Sequence, residues 1–206
     1  MRETTQPPSL TLGARIVRPM PLPASCQRPG RSAVRFGSVT AGWALVALAA
    51  CSPALDWRQV RPEGWGLQAA MPCRPDRQQR QVVLAGAPVA LSLVVCSTAG
   101  HSFALASADV GDPARVTPAL QALLLAAQAN LQGRVLAEQP AAVPGMTPNA
   151  GAVRRQLAGR MPDGREVREQ VQVFAHGLRV FQATVVGPEA GPAQAGPFFE
   201  AIELPR

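Results

Sequence analysis

Apolar and polar positions change period several times along this 206-residue chain, and each change marks an element. An apolar run from Val39 to Ala50 stands alone near the amino end. Beyond it, short apolar runs at Trp65 to Met71, Gln79 to Leu84, Val89 to Ser97 and Ser102 to Val110 predict four strands. Ala85-Gly86-Ala87-Pro88 and Ala99-Gly100 supply the turns between the last three. Ala90 to Val95 is almost wholly apolar, which predicts a central strand covered on both faces. The period then becomes helical. Leu120, Leu124, Ala127 and Leu131 share one face of a helix predicted over Thr117 to Gln132, with Thr117 as cap, Pro118 in the first turn and Gly133 as the stop.

Pro140 to Asn149 reads as a loop, and the strongest alternation follows it. Ala152 to Arg160 and Glu166 to Ala175 flank the turn Met161-Pro162-Asp163-Gly164, and Leu178 to Val186 returns after His176-Gly177. Val167, Val171, Val173 and Ala175 point one way along the middle strand. Glu169 interrupts that inward series. Pro192 to Glu200 reads as a short closing helix, packed down by Phe198, Phe199 and Ile202. The sum is an α+β domain: an antiparallel sheet with one long helix and a short carboxyl-terminal helix packed on it.

The isolated run needs a different reading. Its 12 residues would span about 18 Å as a helix, too short for a hydrocarbon core of about 30 Å. Arg31 and Arg35 precede it, and Leu48-Ala49-Ala50-Cys51 ends it. Basic segment, apolar segment and small residues before a cysteine resemble a bacterial lipoprotein signal. That resemblance implies cleavage between Ala50 and Cys51, with lipid on Cys51. An ordinary secretory signal, or a buried helix that happens to end at Cys51, is the alternative. Residues 1–50 then form a signal with an over-long or untranslated leader, 51–63 a tether, and 64–206 one globular domain. Ser52, rather than an Asp, follows the cysteine. The resemblance thus implies a lipid-anchored protein facing the periplasm, at the outer rather than the inner membrane.

Charge changes the picture by its distribution. The net +7 invites a nucleic-acid reading, but residues 1–50 hold six arginines against one acid. The remaining residues hold fourteen arginines and twelve acids, so no basic stripe is left for nucleic acid. Four cysteines divide by position: Cys26 in the leader, Cys51 at the cut, and Cys73 with Cys96 as an even pair. A Cys73–Cys96 bridge would contribute about 3 kcal/mol, and two separately buried thiols are the alternative.

Candidate chemistry is sparse. Gly64-Trp65-Gly66-Leu67-Gln68-Ala69 matches a dinucleotide fingerprint, but a strand rather than a helix is predicted to follow, so no cofactor is expected. His101 and His176 are the only histidines, and no C-x-x-C or H-x-x-x-H spacing predicts a metal. His101-Ser102 has no acid in a persuasive context, and no catalytic residue is assigned.

The order of strands, long helix, meander ending in Arg179-Val180-Phe181-Gln182-Ala183-Thr184-Val185, and closing helix with Phe198-Phe199-Glu200-Ala201-Ile202 resembles the PsbP-like family. Trp65-Gly66 and Met71-Pro72 loosely match that family's entry, while Glu200-Ala201-Ile202 stands where a Ser and a last Phe are usual. The resemblance implies an α/β/α-like sandwich and carries over no catalytic residues. The functional expectation is a non-enzymatic, membrane-anchored envelope lipoprotein that binds another envelope protein or assembly. A periplasmic small-ligand binder or hydrolase is the alternative, to be recognised by a deep pocket gathering polar groups.

Overall fold

The computed structural model describes residues 55–204. Ala50 and Cys51, with the whole signal-like run, lie outside the described residues.

Seven strands form one sheet in the order β3-β4-β5-β9-β8-β7-β6, every neighbour antiparallel. They are β3 (Asp76–Leu84), β4 (Ala87–Thr98), β5 (His101–Asp109), β6 (Arg134–Pro140), β7 (Val153–Arg160), β8 (Glu166–His176) and β9 (Arg179–Gly187). A separate ribbon pairs β1 (Arg58–Val60) with β2 (Ala69–Met71). Helix α1 (Pro113–Asn130) carries the chain from β5 to the far edge strand β6, and α2 (Pro192–Glu200) closes the domain. This is the α+β arrangement expected from the sequence, with one long helix and one short terminal helix.

Local chemistry fixes the turns. Ala85-Gly86 and Ala99-Gly100 are two-residue hairpin loops with positive φ at both positions (50° and 79°, 50° and 76°). That conformation matches the twist of the flanking strands. The first turn of α1 begins before the expected Thr117. Asp112 caps it by accepting from the Ala114 N–H at 2.8 Å, and Pro113 follows in the first turn. Pro118 therefore lies inside the helix, not at its start. The helix ends as its glycine signal suggested, but with Gln132 in the left-handed region (φ 47°). The N–H of Gly133 then donates to Gln128 and that of Gln132 to Ala129, satisfying two end carbonyls.

Several strand expectations are corrected. Only Ala69–Met71 of the predicted first strand is a strand, and it pairs with β1, not with the main sheet. Arg58–Val60, inside the segment read as a tether, supplies that partner. β6 carries no apolar alternation, because as an edge strand it is exposed at nearly every position, and no strand was expected there. β4 is next to an edge, not central. Leu91, Leu93 and Val95 are half-buried because α1 packs chiefly on β8 and β9.

The core lies on both faces. Side chains of β8 alternate: Val171, Val173 and Ala175 face one way, and Gln172 and Phe174 the other. On the second face Phe174 stacks on Phe181 with ring centroids 5.1 Å apart. Trp65 leans on Phe181, and Phe198 of α2 meets Phe103 edge-on at 5.5 Å. Burial of these rings ties ribbon, sheet and α2 into one body.

Candidate functional site

The sequence anomaly in β8 marks the only strongly perturbed carboxyl among the described residues. Glu169 sits on the face of Val171 and Val173, paired across to Leu157 on β7 and Val186 on β9. It is 5% exposed, and burial pushes its carboxyl up to about 7. No hydrogen bond or ion pair to another described residue offsets that burial.

Glu169 opens into a cleft of about 840 Å³ at the end of the sheet. Three pieces of structure build its walls. The capped end of α1 meets β7 where the Arg160 N–H donates to the Leu131 carbonyl at 2.9 Å. Gly159 permits that meeting, since a Cβ there would stand 2.5 Å from the same oxygen. The loop Pro188–Gly191 forms a second wall, held by Gln170, whose side-chain N–H donates to the Ala190 carbonyl at 3.0 Å. The edge strand β6 contributes Arg134 and Leu136. Around the rim stand Arg134, Arg160 and Arg168 with Glu166 and Glu189, of which Arg160 and Glu166 pair at 2.9 Å. The amides of Gln156 and Gln194 add neutral donors and acceptors. A neutral carboxyl among guanidinium and amide groups can both donate and accept hydrogen bonds, and a charged one accepts only.

A second polar group on β8 is closed off. Gln172 is fully buried under α2, where its carbonyl accepts from Arg154 Nε at 2.7 Å. The Arg154 guanidinium lies 4.2 Å from the centre of the Phe199 ring. Burial lowers the pKa of Arg154, and the charge of Glu200 partly restores it.

The residues singled out in the sequence do not gather. His101 begins β5 and His176 ends β8, at opposite ends of the sheet. His101 Nδ1 is 2.9 Å from the Ala99 carbonyl, and its ring lies over Gly187, where a Cβ would come within 2.3 Å. Ser102 bonds to Ser97 at 2.8 Å, so no His–Ser pair forms. His176 Nδ1 is 2.9 Å from the Gly145 carbonyl. Gly64 and Gly66, both with positive φ, lead into the strand β2 and not into a helix. Among the described residues no three potential metal ligands cluster, and no helix is long and apolar enough to cross a membrane. Cys73 and Cys96 are disulfide-bonded with Cα atoms 5.9 Å apart, which fastens the chain just after β2 to β4. A disulfide of this kind belongs to an oxidising, extracytoplasmic compartment.

No family model matches the chain, and no curated protein matches it. Among solved structures it is similar to the protein of unknown function PA94 from Pseudomonas aeruginosa, at 13% identity over 68% of this chain and 89% of that one, with a TM-score of 0.39. It is also similar to the cyanobacterial PsbP protein (CyanoP) from Synechocystis sp. PCC 6803, at 10% identity over 78% of this chain and 99% of that one, with a TM-score of 0.45.

Proposed function

We propose that this protein is a non-enzymatic, lipid-anchored envelope protein that binds a polar ligand in the cleft around Glu169. One observation carries the reading: a buried carboxyl without a protein partner, opening into an 840 Å³ cleft rimmed by arginines. A group that loses its water on folding and gains no donor is costly for stability, and such costs concentrate at sites of function. The lipobox-like sequence before the domain and the Cys73–Cys96 bridge support an extracytoplasmic location. The protein-docking alternative needs a contiguous apolar surface. Of the exposed large apolar side chains, Leu55 and Trp57 stand together before β1, and the others, Val83, Leu125, Val135 and Leu178, lie on β3, α1, β6 and the β8–β9 turn.

The test is a thermal-shift screen of amino acids, dipeptides and monosaccharides at pH 6 and pH 8, with Glu169→Gln and Arg168→Ala beside the wild type. A stabilising compound whose effect is lost in either variant supports the cleft as a binding site. A compound that stabilises all three proteins equally, or no stabilisation by any class, counts against it.

A further inference from the structure

The ribbon shortens the tether, and this has a consequence for where the domain sits. Structure starts well before Gly64, because the Asp56 N–H donates to the Pro72 carbonyl at 2.8 Å and β1 begins at Arg58. Only residues 52–55 therefore separate Cys51 from Asp56, which makes the first backbone hydrogen bond among the described residues. Five residue steps reach at most about 18 Å when fully extended. The headgroup layer on one side of a bilayer is itself roughly 5–8 Å deep.

Two large apolar side chains lie in that stretch. Leu55 is 40% and Trp57 is 39% exposed, whereas Trp65, in the loop between β1 and β2, is only 7% exposed. Charge beside them is balanced: Arg58 is ion-paired to Asp56, and in the connecting loop Arg61, which donates to the Gln68 side chain at 3.0 Å, is matched in number by exposed Glu63. Tryptophan settles at the headgroup level, where its ring is half in hydrocarbon and its N–H is wet.

We propose that the amino-terminal ribbon is a membrane-contacting surface, with Leu55 and Trp57 inserted at the lipid headgroup level of the bilayer that anchors Cys51. The inference rests on the lipid-anchor reading of Cys51 and is independent of the cleft. The ribbon then faces the bilayer, and the Cys73–Cys96 bridge transmits that attachment to the main sheet.

The protein cut before Cys51 holds two tryptophans, of which Trp57 is the accessible one, so fluorescence reads the contact directly. Protein extracted from host membranes is first weighed intact, then placed in phosphatidylcholine vesicles containing a minor share of phosphatidylglycerol. Expected is a blue shift of emission and its loss with lipids brominated near the glycerol end of the acyl chain. Both effects should disappear in Trp57→Phe and weaken in Leu55→Glu, with the melting temperature unchanged. Acylated protein whose emission is neither shifted nor quenched overturns the membrane contact while leaving the anchor standing. Protein without acyl chains removes the enforced proximity and overturns the proposal at its premise. Quenching that persists in Trp57→Phe would assign the contact elsewhere and overturn it as well.

Discussion

The two ends of β8 are built from one strand, yet they obey different rules. From Val171 to Ala175 every side chain is buried, whichever face it takes. Polar Gln172 is only half satisfied there: Arg154 reaches its carbonyl, and its amide nitrogen is buried without a hydrogen-bond partner among the described residues. From Glu166 to Glu169 the strand emerges from under α1, and exposed and buried positions alternate. Glu169 is buried like Gln172 but has no protein group to meet it. Where both faces are roofed, a polar side chain keeps only the partners that packing leaves it, and the Gln172 amide nitrogen is sealed in; where a helix ends and a loop turns away, the Glu169 carboxyl instead faces a cleft that a ligand can enter.

The sharpest way to probe the packed end is Phe174→Ala. The ring is fully buried and stacked on Phe181, so its removal should cost about 3–5 kcal/mol. Denaturant unfolding measures this; a loss below about 1 kcal/mol would show that the two ends of β8 are equally loose.

The open end predicts a pH dependence of opposite character to that of most carboxyls. The folded-state pKa of Glu169 is raised to about 7 from a reference of 4.5, so between these values the folded protein holds a proton that the unfolded chain has released. Stability must then fall as pH rises from 4.5, and the loss is complete above about 7. Its size is on the order of 2–3 kcal/mol, discounted for the open cleft. Glu169→Gln should abolish this component and be the more stable protein at pH 8. Parallel stability curves for the two proteins across that range would remove Glu169 from the account.

The smallest effect belongs to the rim. Arg160 and Glu166 are both well exposed, so Arg160→Ala should change stability by at most about 0.5 kcal/mol. A loss comparable to that of Phe174→Ala would mean that the rim is part of the core and not of a binding surface.

Much of this contrast was legible beforehand in one residue. Glu169 stands out in the sequence as a break in the series Val167, Val171, Val173, Ala175, but periodicity alone does not say what a misplaced acid faces. That depends on where α1 stops and where the loop Pro188–Gly191 folds back, and these contacts join residues 20 or more positions apart. The histidines were given no catalytic role in the sequence, and among the described residues the structure brings neither to an acid or to Ser102. Both are conspicuous by rarity, and in both the Nδ1 atom meets a backbone carbonyl, while His101 Nε2 is buried without a partner among the described residues.

The sequence by itself determined the α+β class, the meander of β7, β8 and β9, the existence of α1 and the full extent of α2. Each rests on a local period, a turn pair or a cap that needs no distant partner. The hairpins of β3, β4 and β5 were legible too, from the turns Ala85-Gly86 and Ala99-Gly100. Other features came only from long-range pairing. The edge strand β6 has no apolar face to announce it and exists only because β7 offers it a ladder. β1 and β2 are three residues each, too short to carry a period, and form because they pair with each other. The cleft follows from the same cause: it is the space left where separately encoded elements end, and no stretch of sequence encodes a space.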